Sequence, residues 1–359
     1  FQPELINRQW LIDDMEVQKL LSQADRQIGR LDMFSEHAPN VDMFISMHVL
    51  KEATQSSKIE GTQTNIEDAL LSREDVDIEK RDDWEEVNNY ILAMTHAIES
   101  LENVPFSTRL IKQTHETLLQ GVRGKHKLPG EFRRSQNWIG GATLNDATFV
   151  PPVSSSISEL MGDLENFVHS DAHYLPDLLK VAIMHYQFET IHPFLDGNGR
   201  VGRLLITLYL VEKGILKQPV LYLSDFFERY RDLYYDNLMR VRIHDDIKQW
   251  FKFFLTGVIE TAKKGVDPFD RILSLKARIE NEVNEKSKRS GQIMKVLDSL
   301  YKKPLINAQT IGDLVNVSMV TAYKIVEEME QRGILKEITG EKRGKIYLFI
   351  EYIRLFKGK

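Results

Sequence analysis

The segment His192 to Arg203, reading HPFLDGNGRVGR, places an imidazole, a carboxylate, three small or amide residues and two guanidinium groups in one short stretch. That set suits the phosphates of a nucleotide. His192 carries an imidazole whose ordinary pKa of about 6.5 leaves it largely neutral near pH 7, so it can take a proton from an incoming hydroxyl. Asp196, when ionised, only accepts hydrogen bonds, and it suits Mg2+, which favours one or two carboxylates with phosphate oxygens and water. Arg200 and Arg203 stay charged and present forked donors to phosphate. Gly197 and Gly199 let the backbone approach an anion with no Cβ in the way, and Asn198 can hold the turn while tolerating unusual dihedrals. With no serine or cysteine in the segment, direct attack by an external hydroxyl is expected rather than a covalent enzyme intermediate.

The flanking residues say what positions this chemistry. Pro176 and Asp177 read as a helix start, and Leu178, Leu179, Ala182, Ile183 and Met184 follow at helical spacing. Leu204, Leu205, Leu208 and Val211 resume that period until Gly214, so the segment is a loop feeding a helix N-terminus, where backbone amides attract anions. Gly197, Gly199 and Gly202 also spell G-x-G-x-x-G. A dinucleotide site, however, needs a buried strand before its glycines, and helical spacing ending in a polar His-Pro step precedes these. Upstream, Ile45, Val49, Ala53, Ser56 and Glu60 share one face of a helix over about 42–60, with Gly61 as its C′ residue. Glu60 then stands in a last turn that disfavours negative charge by roughly 0.3–1 kcal/mol, so a compensating group is expected. Residues 135–152, SQNWIGGATLNDATFVPP, read as a hairpin with Gly140, Gly141 and an Asn145-Asp146 turn between apolar runs, and Trp138 is expected in the core.

HPFLDGNGRVGR resembles the signature of the Fic-domain family, His-x-Phe-x-Asp/Glu-Gly-Asn-Gly-Arg-x-x-Arg, at all eight fixed positions. The similarity runs outward through PGEFRRSQNWIGG (129–141), FVPP (149–152), HYQFETIHPF (185–194) and RDLYYDNL (231–238), over most of the first 260 residues. It implies transfer of AMP from ATP to a Ser, Thr or Tyr hydroxyl of a protein or of the chain itself, with release of pyrophosphate. It implies His192 as general base, Asp196 as the Mg2+ ligand, Gly197, Asn198 and Gly199 as the anion hole, and Arg200 and Arg203 on the outer phosphates. Val201 and Gly202 fall in the same nucleotide-binding run, Phe194 becomes a buried anchor, and Tyr235 aligns with a residue that lines the nucleoside pocket. SSKIEG (56–61) resembles the family's inhibitory motif Ser/Thr-x-x-x-Glu-Gly/Asn. Ser56, Glu60 and Gly61 would then form a brake in which Glu60 pairs with Arg203. The hairpin would be the flap, holding a target segment by strand addition. A rival use of the same site is hydrolytic removal of AMP, with Glu60 orienting water. Kinase-like phosphoryl transfer belongs to a related branch whose loop departs from Gly-Asn-Gly-Arg, which is intact here. Relatives self-associate, so the resemblance implies a homodimer, for which the sequence offers no interface.

The last part of the chain differs in character. From Lys286 to Lys359 there are fifteen Lys and Arg against eight Asp and Glu, a net charge of +7, which leaves −13 on the remainder. Ile293, Val296, Leu297 and Leu300 mark one helix, Ile311, Leu314 and Val315 a second, and Ala322, Ile325, Val326 and Met329 a third after a Ser318 N-cap. Two β-like runs follow, 334–338 and 345–350, joined by TGEKRG. Three helices and a hairpin resemble a winged helix, a common DNA-binding form. Lys342, Arg343 and Lys345 could touch phosphates, but the third helix presents Glu327 and Glu328 beside Lys324 and Gln331, and these carboxylates would be repelled by DNA. A docking or dimerisation role is therefore favoured.

A hydrophobic fraction of 42% with 28% charged residues is ordinary for a globular chain, and 359 residues usually exceed one core. Zero cysteines exclude disulfides and thiolate metal sites, and the ten histidines include no HExxH pair. No apolar run is long enough to span a bilayer and the first residues lack a secretory pattern, so a cytoplasmic setting without membrane attachment is expected. The expected architecture is mainly α: an N-terminal helical region (1–100) carrying the inhibitory helix, a Fic-type helical core (101–265) with a flap β-hairpin, a connecting helix (266–290) and a small winged-helix unit (291–359).

Overall fold

The computed structural model describes residues 1–37, 41–121, 126–172, 174–340 and 344–356, and the fold is mainly helical, as the apolar periodicity requires. The N-terminal third runs through α1 (Met15–His37), α2 (Val41–Ile59), α3 (Ile66–Leu70), α4 (Arg81–Ser100) and α5 (Thr108–Leu118). Next come α6 (Ile157–His169), α7 (Asp177–Ile191), α8 (Asn198–Glu212), α9 (Ser224–Arg229), α10 (Arg231–His244) and α11 (Ile247–Lys286). Side-chain caps set several starts: Asn65 accepts from the Asp68 amide, Ser107 from Leu110, and Asp246 from Gln249.

α7 lies at the centre, packed by α6, α8 and α11, and every residue from Leu178 to Ile191 is buried. A helix enclosed on all sides has no solvent for its polar groups, so each needs an internal partner. Lys180 Nζ donates to the Ser170 carbonyl at 2.8 Å, and His185 bridges the Gly202 carbonyl (2.9 Å) and the Tyr234 hydroxyl (2.8 Å). His185 thereby ties α7 to α8 and α10. Trp250 of α11, fully buried, donates from Nε1 to the Ala182 carbonyl at 2.9 Å and fixes the long helix against α7.

The connecting helix expected over 266–290 is not a separate element. It is the second half of α11, whose 40 residues run on from Ile247 because one buried stripe continues from Trp250, Phe254 and Val258 to Ile272, Leu275, Ile279 and Val283. Beyond it stand α12 (Ser290–Lys302), β1 (Leu305–Asn307), α13 (Ala308–Val315), α14 (Met319–Gln331), β2 (Leu335–Glu337), β3 (Ile346–Phe349) and α15 (Ile350–Arg354). The strands form an antiparallel sheet in the order β1-β3-β2, with Leu305 opposite Leu348 and Leu335 opposite Phe349. Ser318 caps α14 as expected, accepting from the Thr321 amide. β1 and α15 were not anticipated; three to five residues carry too little pattern. Glu328 also departs from the outward face expected of it, since it turns back to Arg289 (3.5 Å) and Arg332 (3.0 Å). Lys342 and Arg343 lie outside the described residues. Among the described residues, no helix is long and apolar enough to cross a membrane.

Gly257 of α11 faces Phe226 so closely that a Cβ would lie 2.7 Å from the ring. Replacing a helical glycine by alanine ordinarily gains up to about 1 kcal/mol, whereas overpacking a buried ring costs about 1–3 kcal/mol. Gly257→Ala is therefore expected to destabilise the protein by about 1 kcal/mol, read as a lower urea midpoint. A raised midpoint would show that α9 yields freely.

Candidate active site

α7 ends at His192, whose φ of 50° is left-handed, a conformation that costs a non-glycine residue about 1–2 kcal/mol. The surroundings over-determine it. Arg133 Nε donates to the His192 carbonyl and the Arg133 amide to the Pro193 carbonyl, both at 2.9 Å. Asn137 Nδ2 reaches the Phe194 carbonyl at 3.0 Å, and Asn198 closes the loop on Phe194, accepting from its amide (2.8 Å) and donating to its carbonyl (2.9 Å). His115 Nε2 lies 3.0 Å from the Asp196 carbonyl. The loop carbonyls of His192, Pro193, Phe194 and Asp196 are thus each held by a protein donor. Phe194 is fully buried, as its anchoring role requires.

α8 begins immediately after this loop, with Gly197 at its N-cap and a φ of 74°. The end of α2 comes down on that N-terminus. Arg203 Nε donates to Ser56 Oγ (2.9 Å), and Nη2 donates to the Ser56 carbonyl (2.9 Å) and to Glu60 Oε1 (2.7 Å). The compensating cation that Glu60 needed is therefore Arg203. A Cβ on Gly199 would overlap Glu60 Oε1, so the carboxylate lies directly on the first turn of α8. Gly61 turns the chain away with a φ of 103°.

The charges in this space act on one another. Burial alone would push the Glu60 carboxyl up, but the guanidiniums of Arg203 and Arg200 prevail and hold it below the usual carboxylate range. Burial alone would lower the pKa of Arg203, 3% exposed, but Glu60 more than reverses this and holds it firmly charged. Glu60 keeps 36% of its side-chain exposure, so solvent screens the pair from one side. His192 is driven down to about 4 by burial and by Arg242, against the opposing pull of Glu60, and is neutral at pH 7. Glu189, one turn before His192, is pushed up to about 7 by burial, with Arg203 and Glu60 acting in opposite senses on it. Asp196 keeps 45% exposure, accepts from the Gly197 amide at 2.6 Å and stands 3.5 Å from Arg200, whose other nitrogen meets Glu86 at 3.3 Å.

His192, Asp196, Gly197, Asn198, Gly199, Arg200 and Arg203 thus surround the start of α8 together with Ser56 and Glu60. Val201 is fully buried and brings only backbone, and Gly202 makes room for the Glu189 carboxylate, which a Cβ there would overlap. Tyr235 lies beside Tyr234 on α10, where the charges of Glu60 and Arg203 reach its hydroxyl. One expectation is met only in reduced form and one fails. Residues 135–152 form no ladder: Ile139 and Phe149 make a single antiparallel bridge, because Gly140 and Gly141 both leave extended geometry (φ 69° and 73°). Trp138, expected in the core, is 42% exposed on this open edge.

Sequence reasoning missed His115, Arg133, Asn137 and Glu189 as parts of the site. The contacts of His115, Arg133 and Asn137 cross up to 81 residues and follow no local spacing; Arg133 and Asn137 did stand within the similar run 129–141, and Glu189 within 185–194.

Arg133, 2% exposed, also serves the carbonyls of Ser135 (3.1 Å) and Pro152 (2.6 Å). Burial lowers it to about 10, still charged at neutral pH. Lysine keeps the charge but not the planar fork, so Arg133→Lys leaves two or more carbonyls unserved and is expected to cost about 3 kcal/mol. Urea denaturation checks this, and a loss below about 1 kcal/mol would contradict the clamp.

The family model described as Fic/DOC family N-terminal matches residues 18–99, and that described as Fic/DOC family matches residues 105–210. Together they take in more than half of the chain. A protein adenylyltransferase Fic from Aedes aegypti is 38% identical over 125 residues, 34% of this chain and 22% of that protein. One from Drosophila mojavensis is 27% identical over 256 residues, 69% of this chain and 48% of that protein. The chain therefore spans between about a fifth and a half of the length of these curated relatives. Among solved structures, a Fic family protein from Desulfovibrio desulfuricans G20 aligns over 98% of this chain and 99% of its own, with a TM-score of 0.60 at 17% identity. Fic-1 from C. elegans aligns over 70% and 73%, with a TM-score of 0.52 at 20% identity. These two likenesses concern the fold. With the family matches spanning α1 to α8 and the loop they contain, the chain belongs to the Fic/DOC family.

Proposed function

We propose that this chain is an autoinhibited protein adenylyltransferase that moves AMP from ATP to a hydroxyl of a target protein or of itself. The observation that carries the reading is the three-bond hold of Ser56 and Glu60 on Arg203, made on the first turn of α8 beside His192. The α8 N-terminus receives the phosphates, with Arg200 and Arg203 on the outer two. His192 takes the proton of the target hydroxyl; that oxygen bonds to the α-phosphorus while the bond to the bridging oxygen breaks and pyrophosphate leaves. Asp196 is the residue that would hold Mg2+, since an accessible carboxylate beside phosphate oxygens and water is the setting Mg2+ prefers. Bound there, Mg2+ would neutralise charge on the leaving group.

While Glu60 neutralises Arg203, an outer phosphate loses its strongest cation and meets a carboxylate. The brake is therefore competition between two anions for one guanidinium. The same Glu60, partly open to solvent, could orient a water for removal of AMP; AMP released from a modified target by wild type but not by Glu60→Gly would support that use. The open edge at Ile139 and Phe149 supports a flap that pairs with a target segment. The order helix, strand, two helices, two strands in residues 290–349 supports a winged helix, with exposed Val320 and Tyr323 favouring a docking surface over DNA. A chain divided near residues 100 and 290, a cytoplasmic setting and a homodimer complete the proposal.

Intact-mass spectrometry after incubation with MgATP tests the reading. Glu60→Gly is expected to raise AMP addition about tenfold or more, and His192→Ala to lower it about 10²–10⁴-fold in that background. Added phosphate in place of AMP, or no gain from Glu60→Gly, would contradict the assignment or the brake respectively.

A base depressed to about 4 is protonated only below that pH, so the competent neutral form is present above it. The acid limb of kcat/KM for wild-type AMP transfer is accordingly expected near pH 4 rather than 6.5. A single-proton limb at 6.5 would show that His192 is not held neutral by burial.

A further inference from the structure

His115, in α5, is fully buried beneath the loop before α8. The Gly130 amide donates to its Nδ1 at 2.9 Å, which makes Nδ1 the acceptor and leaves the ring proton on Nε2. Nε2 therefore donates to the Asp196 carbonyl at 3.0 Å. The ring lies flat on Phe194, with centroids 3.7 Å apart and planes within 6°, and its Cδ2 edge faces Gly197. Stacking and two hydrogen bonds leave the imidazole one orientation.

Because a peptide is planar, pinning the Asp196 carbonyl sends the Gly197 N–H to the opposite side. There it donates to Asp196 Oδ1 at 2.6 Å. One bond from His115 thus fixes both the first peptide of the nest and the direction of its carboxylate. We propose that His115 is a positioning residue of the phosphate site: its Nε2–H sets the Asp196–Gly197 peptide and so aims Asp196 and the following amides at a bound nucleoside triphosphate. This rests on the nucleotide-binding reading above. Neither PGEFRR nor HPFLDGNGR reveals the link, since the contact joins positions 81 residues apart.

Three substitutions separate the roles of the ring. His115→Gln keeps a donor within reach of the Asp196 carbonyl; His115→Asn reaches only the Gly130 amide; His115→Phe keeps the stack and neither bond. Each is made in full-length Glu60→Gly protein, and two quantities are read: the Kd for a non-hydrolysable ATP analogue with MgCl2, and hydrogen exchange of the 194–199 amides without nucleotide. The expected result is a Kd raised about tenfold in the Asn and Phe variants with faster loop exchange, while Gln stays within about threefold of the parent with parent-like exchange. If Asn and Phe match Gln in both readouts, or Gln fails as fully as Phe, the positioning role is overturned. If the parent binds no analogue, the nucleotide reading falls by itself, and the exchange pattern still decides the role of His115.

Discussion

A guanidinium held at 3% exposure inside a helical core needs acceptors to answer its charge, and for Arg203 the nearest of these is a carboxylate. Removing the partner of a buried ion typically costs about 3–5 kcal/mol, far more than a surface pair is worth. Glu60 and the Ser56 backbone answer that need in this structure. The geometry makes the two sides of the contact unequal. Arg203 sits on α8, buried on all sides, whereas Glu60 follows the last residue of α2 and stays partly open to water. In the proposed function, a second anion would take the place of Glu60 by displacing the end of α2 rather than by moving Arg203.

The loop before α8 is governed by a different constraint. His192 occupies a conformation that its own backbone disfavours, and Arg133, Asn137, Asn198 and His115 together hold the carbonyls of the turn. The strain at His192 is offset by these bonds, most of which come from outside the loop. Burial of the imidazole completes the arrangement, since it keeps His192 in the form that can accept a proton.

Much of this was legible in the sequence because it is local. Helical spacing placed α7 and α8 and the loop between them, and the i, i+3 and i, i+4 pattern from Ile45 to Glu60 put Ser56 and Glu60 on one face. The helix macrodipole further demanded a compensating group for Glu60. What failed was non-local or conformational. Two consecutive left-handed glycines reduced the expected hairpin to a single bridge, and Trp138 came out onto its open edge. α11 absorbed the connecting segment because its buried stripe does not pause at a composition change. His115 and Arg133 act across 81 and 59 residues, a distance that periodicity cannot reach.

The central claim is that Glu60 and the phosphates of a nucleotide occupy one place in turn. A crystal of the Glu60→Gly protein soaked with a non-hydrolysable ATP analogue and MgCl2 tests it most directly. The account predicts density for the triphosphate over the first turn of α8, an outer phosphate on Arg203, and the α-phosphorus facing the His192 ring. An empty turn, or a nucleotide whose α-phosphorus lies far from that imidazole, would contradict it.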